Sequence, residues 1–89
     1  MLPAYARSRN GRVFRLVRSS ERLDATRMRY RLRAVPLPAT DAAPLEVTHV
    51  LDADVLLDKL RLGQAIPTPE STFEDLWQRL QIDLNLGSA

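Results

Sequence analysis

Arginine occupies every second position from Arg27 to Arg33, and the residues between and after are Met28, Tyr30, Leu32 and Ala34. Strict alternation of this kind marks a strand with one face buried and the other in water. Four guanidinium groups would then stand in a row ~20 Å long, at ~3.3 Å per residue. Each is permanently charged and presents a planar fork of donors suited to phosphate or carboxylate oxygens. Neighbouring like charges repel. A row like this calls for acids to cover it or for an anionic partner.

The rest of the chain bears on which of these applies. It has 89 residues and a formal net charge of +2. That small number is a near-cancellation. Residues 1–33 hold ten arginines and two acids, a balance of +8. Residues 34–89 hold Lys59, Arg61 and Arg79 against nine acids, a balance of −6. The asymmetry implies a basic surface that meets an anionic partner or the protein's own acidic half.

Other chemistries find little support. There is no cysteine, which excludes disulfides and cysteine-based metal or nucleophile sites. His49 is the one imidazole, at an inward-facing strand position among apolar residues, and it reads as a buried or semi-buried structural histidine. Zinc needs several His or Cys ligands, so no metal site is expected. Asp52 and Asp54 have the spacing of a metal-binding pair, but at a helix start they read better as capping residues. Ser19 or Ser20 with His49 and an aspartate could form a triad only through tertiary structure, and nothing local favours it. The three glycines, at 11, 63 and 87, are too far apart for a phosphate-cradling loop. The longest run without a charged residue is the eight residues Leu62 to Pro69, far short of the ~20 apolar residues a spanning helix needs. Residues 1–12 have no continuous apolar stretch, so no secretory signal is expected. A cytoplasmic protein without cofactor or membrane partner is the expectation.

Arg12 to Arg18 alternates as a strand, and Arg27 to Val35 is the clearest strand of the chain. Together they read as an antiparallel hairpin with Ser19 to Thr26 as its loop. The apolar faces coincide only when paired residue numbers sum to an even value, such as Phe14 opposite Leu32. Pro36, Pro38 and Pro44 then delimit a loop that leaves the sheet. Leu45 to Leu51 alternates as a third strand, which would bring Glu46 toward the arginines if it lies beside them. A helix follows over 53–62, with Asp52 as N-cap, Gly63 past its end and Ala53, Leu56, Leu57 and Leu60 as its apolar stripe. Gln64 to Glu70 is a connector. A second helix starts near Ser71, where Ser71 and Glu74 have the capping-box spacing. Phe73, Leu76, Trp77, Leu80 and Leu84 form its apolar stripe. Gly87 to Ala89 is a fraying end.

The expected fold is therefore α+β, in the order β-β-β-α-α. A small antiparallel sheet, a hairpin plus a third strand, carries both helices on one face. Residues 1–11 form an irregular basic lead-in, and 12–86 a single domain. The expected function is a small non-catalytic binding or regulatory module. Its arginine-rich hairpin face, with Arg15, Arg27, Arg29, Arg31 and Arg33, would engage the nucleic-acid backbone with little sequence preference. The alternative is a protein–protein adaptor or regulatory homodimer whose basic sheet contacts an acidic protein surface. In the plainest reading, the arginines form a solvated face that blocks aggregation or pairs with Glu46 and the acidic helices.

Overall fold

The computed structural model describes residues 2–84. Six elements follow in order: β1 (Tyr5–Arg7), β2 (Val13–Arg22), β3 (Arg27–Leu37), β4 (Leu45–Asp52), α1 (Ala53–Arg61) and α2 (Pro69–Asp83). The strands form one antiparallel sheet in the order β1-β2-β3-β4. The α+β class and the placing of sheet before helices are as the sequence implied. Residues 85–89, with the fraying end and the last two residues assigned to the domain, lie outside the described residues.

The sheet has one more strand than expected. Residues 1–11 are not simply a lead-in: Tyr5–Arg7 pairs with β2, with Tyr5 opposite Arg15 and Arg7 opposite Val13. The turn between them closes with Ser8 N donating to Arg12 O at 2.8 Å and Gly11 N to Ser8 O at 3.0 Å. Gly11 takes φ 86°, a conformation costly for any residue with a Cβ.

The β2–β3 hairpin is also longer than its apolar pattern suggests. Ser19 to Arg22, expected as loop, continue β2, and the turn is only Leu23 to Thr26. Polar composition there reflects a hairpin end that outruns the core, where strand pairing does not need apolar side chains. Asp24 shapes the turn: its Oδ1 accepts from Thr26 N at 2.9 Å and from Thr26 Oγ1 at 3.1 Å. The even parity holds, but the register is shifted. Phe14 lies opposite Pro36, not Leu32, and Leu16 lies opposite Ala34. The tighter turn sets this shift. Pro36 therefore stays in β3. It lies past Ala34, where pairing with β4 stops, so β3 has a neighbour on one side only.

One face of the sheet is covered. Phe14, Tyr30, Leu32, Ala34 and Val47 from the strands form the core with Leu76, Leu80 and Leu84. Each fully buried leucine contributes about 1.5–3 kcal/mol of hydrophobic stabilisation. Tyr30 meets Phe73 edge-on, with ring centroids 5.4 Å apart. The guanidinium of Arg18 lies 5.9 Å from the Phe73 centroid and closes the core at that end. α2 begins earlier than expected. Thr68 is the N-cap and Pro69 opens the helix, so the capping box joins Thr68 to Ser71 rather than Ser71 to Glu74. Thr68 N donates to Ser71 Oγ at 2.9 Å, and Ser71 N to Thr68 Oγ1 at 3.0 Å. Proline suits the first helical turn, where its missing N–H costs nothing.

α1 is capped as expected, with Asp54 N donating to Asp52 Oδ1 at 2.8 Å. Gly63 follows it at φ 68°. Its packing is slighter than its apolar stripe implies, because it buries no residue. Leu57 and Leu60 are exposed, and among the described helices it is α2 that packs on the core. For the same reason His49 is exposed rather than buried: it points to the helix side from the outer strand β4, beyond the cover that α2 provides. It lines an open groove of about 800 Å³ between α1, β4 and the start of α2. Arg79 of α2 reaches the β4 edge and donates to Thr48 O at 3.2 Å.

Candidate polyanion-binding face

No helix among the described residues lies over the other face of the sheet. Register sets out its side chains in rows across the strands. From the β2–β3 turn upward these are Glu21, Arg29 and Val50; then Ser19, Arg31 and Thr48; then Val17, Arg33 and Glu46. Next come Tyr5, Arg15 and Val35, and finally Arg7, Val13 and Leu37. All five arginines singled out from the sequence, Arg15, Arg27, Arg29, Arg31 and Arg33, share this face. Their surroundings are unequal.

Along β3 every arginine has an acid. Glu46 Oε1 receives Arg33 Nε at 2.9 Å and lies 3.1 Å from Arg31 Nε. Glu21 Oε1 lies 3.2 Å from one terminal nitrogen of Arg29 and 3.7 Å from one of Arg31. The result is a chain of alternating charge, Arg29–Glu21–Arg31–Glu46–Arg33, that crosses three strands. The Arg31 contact to Glu46 is an ion pair without hydrogen-bond alignment, since the buried Nε has no hydrogen-bond partner among the described residues. These side chains are partly exposed, so each pair contributes at most ~1 kcal/mol.

Arg27 is held separately, by Asp24 in the turn. Its Nε donates to Asp24 Oδ2 at 2.7 Å, and a terminal nitrogen lies at the same distance of 2.7 Å. This bond from Arg27, followed by that from Thr26 N, lowers the Asp24 carboxyl from 3.8 to about 2. The Arg27 guanidinium is raised in turn by its bond to Asp24.

The β1–β2 end differs. Arg7, Arg9, Arg12 and Arg15 are exposed, and none has an ion pair among the described residues. Arg7 and Arg15 stand on the open face itself, and Arg9 and Arg12 flank the Asn10-Gly11 turn. Tyr5 stands beside Arg15 on the same face. Of these, only Arg15 stands out in the sequence. The signal for the others is the Asn10-Gly11 turn, which is the tip of a hairpin and not the close of an irregular lead-in.

The acids of α1 do not reach the face. Asp58 lies 3.9 Å from Arg61 on its own helix. Among the described residues, no group of three or more His, Asp or Glu side chains is placed to hold a metal ion. No helix among them is long and apolar enough to cross a membrane. Comparison with known protein families, curated proteins and solved structures returns no match.

Proposed function

We propose that the protein is a small non-catalytic binding module that engages a polyanion, the nucleic-acid backbone, through the β1–β2 end of its open sheet face. The observation that carries this reading is the contrast in pairing. Arg7, Arg9, Arg12 and Arg15 lack acid partners among the described residues, while the β3 arginines have them. An unpaired guanidinium gains a full charge-assisted bond on meeting phosphate. A paired one must first give up the carboxylate it already holds. The binding residues are therefore Arg7, Arg9, Arg12 and Arg15, with the β3 row as a secondary reserve.

A titration against salt tests the proposal. Four phosphate contacts give a log–log slope of ~−3.6 on duplex DNA. Replacing the four arginines by alanine removes most of that slope and the affinity with it. Replacing Arg29, Arg31 and Arg33 by alanine changes both much less. Equal losses from the two sets of variants, or no binding at low salt, would overturn the assignment.

The second reading is a protein–protein adaptor or regulatory homodimer. The exposed Val55, Leu57, Leu60 and Leu62 at and after α1 favour it. Sedimentation across a concentration series separates the two: a monomer throughout, with tight polyanion binding, removes the homodimer.

A further inference from the structure

The unpaired end of the open face carries more than charge. Its rows are Tyr5, Arg15 and Val35, then Arg7, Val13 and Leu37, with Val17 beside Arg33 in the row before. Apolar groups thus flank Arg15 both along β2 and across the sheet, and Arg7 lies next to Tyr5 along β1 and beside Val13 on β2. Tyr5 is 58% exposed and Leu37 is 43% exposed. Val13, Val17 and Val35 are half-buried. Tyr5 has no ring or cation contact among the described residues, so its face is available.

A duplex would use only half of this surface. Its bases are stacked inside, and a sheet face laid on its backbone meets phosphates alone. Tyrosine and valine would then remain in water or be pressed against charge. An unpaired strand offers both kinds of group: flat apolar bases for the tyrosine and valine positions, and phosphates for the arginines between them. The dimensions agree. Three rows at ~6.8 Å and three strands at ~4.8 Å make a patch of ~14 by ~10 Å. About two bases can lie flat on such a sheet surface.

We infer that this end of the face takes single-stranded nucleic acid in preference to duplex. One base stacks on Tyr5, and Arg7 and Arg15 hold the flanking phosphates. The inference rests on the polyanion reading above and names the ligand of that same site.

The test is fluorescence anisotropy with the full chain at low salt. The probes are a labelled oligothymidylate, a labelled oligouridylate and a labelled hairpin duplex. Variants are Tyr5→Phe, Tyr5→Leu and the fourfold arginine-to-alanine protein. The single strands should bind about tenfold more tightly than the duplex, and Tyr5→Leu should lose about that factor on single strands alone. Tyr5→Phe should keep it, because the aromatic face remains. Tyr5→Leu preserves apolar bulk in an exposed strand position, so an unchanged melting curve separates lost stacking from lost folding. Equal affinity for strand and duplex, or no effect of Tyr5→Leu, would overturn the single-strand assignment. If the arginine variant still weakens both forms in that case, the polyanion reading stands without it. If none of the probes binds, both fall.

Discussion

The open face of the sheet has two ends made of the same material. At both, arginines stand on the open side of the strands. At the β3–β4 end, Glu21 lies opposite Arg29 and Glu46 opposite Arg33, and the two acids share Arg31 between them. At the β1–β2 end, the cross-strand partners of Arg15 are Tyr5 and Val35, and those of Val13 are Arg7 and Leu37. No acid among the described residues is within ion-pair distance of these arginines. A row of arginines is thus a poor measure of the field it produces. What counts is the register that sets acids against it or withholds them. The most regular pattern in the sequence belongs to the neutralised end, and the less regular one to the end that keeps its charge.

Leu32 is fully buried on β3 between Arg31 and Arg33. Leu32→Ala should cost about 2–5 kcal/mol of stability, read by urea unfolding. Below its melting temperature the variant should still bind polyanion through the β1–β2 end. A loss of affinity in the folded variant would mean that the two ends act as one surface.

Releasing the neutralised end is a gentler change. Glu21→Gln with Glu46→Gln leaves Arg29, Arg31 and Arg33 without acids. Their mutual repulsion should cost about 1 kcal/mol of stability. Polyanion affinity should rise, and the salt slope should steepen by up to ~2.7 if all three arginines reach phosphates. An unchanged slope would show that the ladder is not presented to a ligand even when free.

The smallest effect lies at the turn. Asp24 has its carboxyl at about 2, below its ordinary 3.8, because Arg27 and Thr26 donate to it. A group depressed in the folded state adds stability above its unfolded value and loses it on acidification. The turn's contribution should therefore be complete above pH 3.8 and fade as pH falls toward about 2. NMR titration of the Asp24 carboxyl should show that midpoint, and Arg27→Ala should return it toward 3.8. A wild-type midpoint already at 3.8 would remove the Asp24–Arg27 bond from the account.

Much of this was legible in the chain. The period-two pattern of Arg27 to Ala34 and of Leu45 to Leu51 assigned both strands and both faces correctly. It placed Glu46 on the arginine side and His49 on the other. Asp52 and Gly63 bounded α1. Elsewhere the pattern gave out for physical reasons. Strand pairing beyond the core needs no apolar alternation, so Ser19 to Arg22 looked like a loop and Glu21 was missed as a partner. A strand as short as Tyr5–Arg7 leaves too few residues for any period to show. The stripe of α1 reads as core-facing, yet a stripe says only that an apolar face exists, not that anything covers it.

The sequence by itself determined the class of fold, the sidedness of each long strand and the parity of their pairing. Those follow from alternation, because a one-residue slip would turn every arginine into the core. The tertiary structure decided how far each hairpin extends and hence which charges meet. Even parity admits several registers, all with the arginines outward. Only the tight turn at Leu23 to Thr26 puts Glu21 beside Arg29, and only the pairing with β4 puts Glu46 beside Arg33. An exposed ion pair needs its charged atoms within about 4 Å, and even then it contributes at most ~1 kcal/mol. A shift of two residues, ~6.8 Å along a strand, is enough to make or unmake each pair.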